Sequence, residues 1–154
     1  MKVTIPSLAL VVLLSPIAGL HAQSDRQQSA SIVPVTVRSH VDKDVLSLDV
    51  TPTINDGSTI YRLRLRDVPV DGFWSITVYD SEGRVRKNEA YTQNSMTAQQ
   101  APDGSTFIQF GGCSRAIRNC LSTMPGWNYV VRLYRPRPEI IDGNWTFPEA
   151  QPVR

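Results

Sequence analysis

Residues 59–79 read TIYRLRLRDVPVDGFWSITVY, and their spacing decides the fold. Across residues 59–66 the residue type alternates with period two. Tyr61, Leu63 and Leu65 fall on one face, and Arg62, Arg64 and Arg66 on the other. That is the pattern of a strand with one face on a core and one in water. Across residues 73–79 both faces are apolar or small, so this strand is expected to be central and covered on both sides. Strands of this kind need a second layer against them, which favours a two-layer sandwich over a single sheet.

Working outward, the same reading finds further strands. Residues 32–37 are valine-rich but carry Pro34, which suits an edge strand or an extended lead-in. Residues 45–50 place Leu46, Leu48 and Val50 on one face. Residues 84–87 are short and charged, and residues 105–110 and 128–134 complete the set. Asn55-Asp56-Gly57, Ser81-Glu82-Gly83, Pro102-Asp103-Gly104, Pro125-Gly126 and Asp142-Gly143 supply the turns between them. No stretch holds a helical period, although residues 114–121 could form one helical turn. The expected fold is an all-β, jelly-roll-like sandwich of about eight antiparallel strands with little helix.

The N-terminus reads as a signal peptide over residues 1–22. Lys2 is followed by a short apolar run and by small residues ahead of Ala22-Gln23. The run falls short of the roughly 20 apolar residues that a membrane span requires. Residues 23–31 are polar and small, a disordered lead-in, and residues 32–154 suit one domain. Removing Lys2 takes the formal charge from +2 to +1. That near-neutral balance argues against a nucleic-acid partner held by phosphate neutralisation. The expected location is periplasmic or secreted, with no stable membrane insertion after cleavage.

Cys113 and Cys120 are the only cysteines. In an oxidising compartment a disulfide is the first reading. It would close a small ring and contribute about 2.5 kcal/mol. Free thiols and a metal pair are the alternatives. The spacing is too long for a Cys-x-x-Cys redox motif, and His40 is the only histidine beyond the signal segment.

Several ordered motifs point to one family. Residues 55–79, NDGSTIYRLRLRDVPVDGFWSITVY, resemble the opening of domain of unknown function 1214. Pro102-Asp103-Gly104-Ser105 resembles its hairpin. Asn119-Cys120-Leu121, Met124-Pro125-Gly126-Trp127-Asn128-Tyr129, Arg132-Leu133-Tyr134-Arg135-Pro136 and Asp142-Gly143-Asn144-Trp145 resemble its closing signature. The resemblance implies a jelly-roll-like sandwich. It also implies a place behind a partner, domain of unknown function 1254, in longer proteins that are often secreted and bacterial. Here the resemblance covers only the C-terminal domain, standing alone. It implies no catalytic residues.

The residues themselves offer no nucleophile beside a base. His40 lies in a polar stretch, and no Gly-x-Ser-x-Gly elbow is present. The carboxylates Asp67, Asp71, Asp80, Glu82, Glu139 and Asp142 lie near strand ends. A pair of them at the right separation would serve glycan hydrolysis, but turn chemistry accounts for Asp71, Asp80 and Asp142. Asp42-x-Asp44 opens like a calcium loop, yet Ser47 stands where glycine is required. No metal and no cofactor is expected.

The binding candidates are Arg62, Arg64, Arg132, Arg135, Trp127 and Trp145. If the strands neighbour each other, Arg62, Arg64, Arg66, Arg132, Arg135 and Arg137 would form a stripe able to grip carboxylates or sulfates. A solvated face is the alternative. Trp127 and Trp145 sit at strand margins, where a ring can stack on a sugar or fill a partner's pocket. Asn144-Trp145-Thr146 is formally a glycosylation acceptor.

Three functions fit. The first is a non-catalytic module for a glycan, an anionic small ligand or a partner chain. The second is half of a split protein that docks a partner or a second copy. The third is a carboxylate-dependent enzyme acting on a glycan or amide bond.

Overall fold

The computed structural model describes residues 36–42, 44–87 and 90–154. The expected signal segment, the lead-in and the start of the strand at residues 32–37 lie outside the described residues.

Two sheets form a β-sandwich. One holds β1 (Thr36–Asp42), β2 (Val45–Thr51), β8 (Asn128–Tyr134), β4 (Trp74–Tyr79) and β5 (Thr92–Asn94), in that order. The other holds β7 (Cys120–Leu121), β6 (Thr106–Phe110), β3 (Tyr61–Leu65) and β9 (Gln151–Pro152). Neighbours run antiparallel except β6 and β7, which are parallel. The one helix among the described residues is the single turn α1 (Pro138–Ile141).

Alternation produces the core as expected. Tyr61, Leu63 and Leu65 are buried, and the arginines between them are exposed. Across the sandwich, Trp74, Ile76 and Val78 of β4 and Tyr129, Val131 and Leu133 of β8 face inward. On the other face of β4, Ser75 and Thr77 are also buried, as a central strand requires. The two layers meet through rings: Phe110 packs on Trp127 at 5.3 Å and on Tyr129 at 4.8 Å, and Tyr61 meets Trp127 edge-on at 5.8 Å.

Three local expectations change. Residues 84–87 are not a strand. The Asp80 carboxylate accepts hydrogen bonds from the Glu82 and Arg84 backbone N–H groups at 3.0 and 2.9 Å, which folds the chain into a closed turn. The strand on that side of β4 is instead β5. Residues 114–121 form no helix: a single bond from Ile117 N–H to the Ser114 carbonyl makes one turn. The helical turn falls at α1, where Pro138 at its start presets φ and gives up no hydrogen bond.

The family-like motifs clasp one another. The Gly126 N–H bonds to the Asn55 carbonyl at 2.7 Å, and the Asn55 side-chain amide bonds to the Trp127 carbonyl at 3.2 Å. Gly57 has φ +79°, and a Cβ there would lie 2.6 Å from the Met124 carbonyl carbon. Only glycine admits so close an approach. A second clasp joins residues 69–72 to residues 134–137. The Asp71 N–H bonds to the Arg135 carbonyl at 2.9 Å, and the Arg137 N–H bonds to the Pro69 carbonyl at 3.0 Å.

Cys113 and Cys120 are joined in a disulfide. Its inner end is held by Asn119, whose side chain bonds to the backbone of Gln99 and Phe107.

Candidate functional site

A concavity lies where the sandwich is incompletely closed. β2 pairs with β8 so that Leu46, Leu48 and Val50 extend the inward face beyond Leu133, Val131 and Tyr129. Val41 and Ser39 of β1 extend it further. Val131 and Leu133 are fully buried, but Leu46 and Leu48 are only partly covered. What stands over this wing is the chain that follows α1. Ile140, Ile141, Trp145, Phe147 and Pro148 form the opposite wall of a cleft of about 550 Å³. Ser39, Thr146 and Glu149 bring polar side chains to it, and among the described residues no lysine or arginine lines it. Burial raises the Tyr129 hydroxyl pKa above the ordinary phenol range, and the Glu149 charge adds to the rise. Tyr129 therefore stays neutral.

A smaller hollow adjoins the same wall. Asp67, Arg137, Glu139, Asn144 and Trp145, together with Val68 and Pro69, surround about 500 Å³. Trp145 lines both spaces. Its backbone N–H bonds to the Glu139 carbonyl at 2.8 Å, which ties it to α1, and its ring meets Phe147 edge-on at 6.0 Å.

The other candidates are dispersed. Trp127 is 0% exposed and belongs to the core, so it offers no surface for stacking. The arginine stripe does not form, because β3 and β8 lie in different sheets. Arg64 pairs with Asp103 at 3.0 Å and lies over the Phe107 ring. Arg62 lines a shallow depression of about 240 Å³ with Phe107, Ile117 and Arg118. Arg132 donates to the Tyr79 hydroxyl at 3.1 Å. Arg135 has φ +52° and donates to the Asp71 carbonyl at 2.7 Å, so it serves the second clasp.

The carboxylates also separate. Asp80 and Glu82 remain in their turn with Arg84. Asp71 pairs with Arg137 at 2.7 Å. Only Asp67 and Glu139 reach the hollow beside Trp145. Sequence reasoning missed Leu46, Leu48 and Ile140 as site residues, since each reads locally as ordinary core.

Residues 47–138 match the family described as protein of unknown function (DUF1214). The chain belongs to that family. The DUF1214 fold recurs in the VPA0106 protein from Vibrio parahaemolyticus, with a TM-score of 0.61 and 22% identity, over 72% of this chain and 31% of that one. It recurs in an uncharacterized protein from Burkholderia cenocepacia, with a TM-score of 0.51 and 22% identity, over 77% of this chain and 32% of that one. The chain thus spans about a third of the solved structures it resembles. No curated protein matches it.

Proposed function

We propose that this DUF1214 domain is an exported, non-catalytic binding module that takes a small apolar ligand in the cleft beneath β1 and β2. The cleft carries the reading. Its volume falls within the roughly 300–1,000 Å³ usual for small-molecule sites, and its walls are mainly aliphatic and aromatic with a few polar groups. A glycan alone would find few hydrogen-bond partners there, and among the described residues an anion would find no cation. Export is supported by the N-terminal apolar run and by the disulfide. Among the described residues no helix is long and apolar enough to cross a membrane.

The test uses the uncharged dye N-phenylnaphthylamine. Its fluorescence should rise saturably with one site per chain. Leu48→Arg, which places a charge in a partly exposed wall, should abolish the rise, with circular dichroism showing that the variant remains folded at the assay temperature. A dye that fails to bind, or that binds Leu48→Arg equally well, would remove the cleft from consideration.

A second reading has one observation in its favour. The matched chains are more than twice as long, and the same apolar cleft would serve to dock a partner domain. Light scattering of the purified protein, alone and with a candidate partner, separates the two. A monomer inert toward that partner excludes docking.

A further inference from the structure

We propose that the cleft and the hollow beyond Trp145 form one bipartite site for a single-chain amphiphile whose head group is polyhydroxylated and sugar-like. The inference rests on the apolar-ligand reading of the cleft and adds the head group to it.

Three observations carry it. First, one wall serves both spaces: Trp145 lines each of them. Second, a single turn divides its residues between them. Ile140 and Ile141 of α1 face the apolar cleft, and Glu139 faces the hollow. An occupant lying across this wall would meet apolar groups at one end and polar groups at the other. Third, the hollow's chemistry suits neutral hydroxyls. Asp67 and Glu139 accept hydrogen bonds, Arg137 donates them, and the Asn144 amide does both. An indole beside these groups can take the C–H face of a pyranose.

Charge argues against an ionic head. Arg137 is already paired with Asp71 at 2.7 Å, and Asp67 with Arg66 at 3.4 Å. Among the described residues around the hollow, a carboxylate head would meet Asp67 and Glu139, and the one arginine there is already paired. A polyol needs no counter-charge.

The experiment compares ligands of equal chain length below their micelle-forming concentrations: decyl maltoside, decanol and decanoate, with maltose alone as the head-only control. Displacement of N-phenylnaphthylamine reports each affinity. Decyl maltoside should bind about tenfold or more tightly than decanol, the gain expected from a few net hydrogen bonds. Decanoate should bind more weakly than decanol, and maltose should not bind at these concentrations. The double variant Glu139→Gln, Asn144→Ala changes exposed side chains only. It should bring decyl maltoside down to the decanol level and leave decanol unchanged.

Decanol equal to decyl maltoside on the native protein overturns the bipartite site and leaves the apolar cleft standing. An undiminished maltoside advantage in the double variant also overturns it, because the head then sits elsewhere. If no chain compound binds, both readings fall together.

Discussion

Trp127 and Trp145 follow similar Gly-bearing turns, and their surroundings assign them opposite tasks. Trp127 has Phe110, Tyr61 and Tyr129 around it and no exposure. Trp127→Ala should therefore lower stability by about 3–5 kcal/mol. Trp145→Ala should lower it by only about 1–2 kcal/mol, while it weakens ligand binding. Urea denaturation beside dye titration measures both. Gly57→Ala should lose roughly 2 kcal/mol or more, since φ is positive and the new methyl group meets the Met124 backbone.

Two aspartates give an acid limb. The backbone N–H groups of Thr59 and Ser58 hold the Asp56 carboxyl at about 2, below its ordinary 3.8. Hydrogen bonds from Ser105, then from Arg64, hold Asp103 at about 2 likewise. A carboxyl depressed in the folded state stabilises it above the unfolded value and loses that contribution as pH falls through the folded one. The thermal midpoint should fall between about pH 4 and pH 2. Asp56→Asn and Asp103→Asn should each flatten that fall.

At the scale of elements, the disulfide and Asn119 hold the same loop to the edge of β6. Replacing both cysteines by serine should reduce stability by about 2.5 kcal/mol. Asn119→Ala breaks bonds to Gln99 and Phe107 and should lose about 2–3 kcal/mol. Combined, the changes should total less than their sum, because either one already frees the loop. Equilibrium denaturation of the variants provides the comparison.

Length decides which elements were legible in the chain, with one exception: β1 holds seven residues, Thr36–Asp42, but its TVRSHVD run lacks apolar alternation, and the strand expected at residues 32–37 overlaps it only at its start. β2, β3, β4, β6 and β8 carry enough residues to show a period. β5, β7 and β9 hold two or three residues each, too few for alternation to register. They are strands only because a longer neighbour offers them partners. Residues 84–87 misled for the converse reason: their spacing suits a strand, but the Asp80 carboxylate closes them into a turn. The site was partly legible. Trp145 stood out as an aromatic at a margin. The aliphatic walls did not, because β2 and α1 meet only through the sheet order. The arginine stripe failed on the same point, since no residue pattern announces which strands will be neighbours.

For the molecule as a whole, a ligand that enters the apolar cleft of the folded state only would link occupancy to stability. Decyl maltoside at about a hundred times its dissociation constant should add about 2.7 kcal/mol, raising the thermal midpoint by on the order of 10 °C. Leu48→Arg should show no rise. Differential scanning calorimetry with and without the compound tests both.

The strand order also governs what a cut chain would do. Arg115 and Arg118 are exposed within the ring closed by Cys113 and Cys120, so trypsin can nick the backbone there without parting the two pieces. Reduction would then sever the last covalent tie. Yet β8, from the second piece, lies clasped between β2 and β4 from the first. The nicked, reduced protein should elute from a sizing column as one particle and run as two bands under denaturing conditions. The domain should thus behave as two interlocked fragments, with its seam at the surface and its interlock in the centre of a sheet.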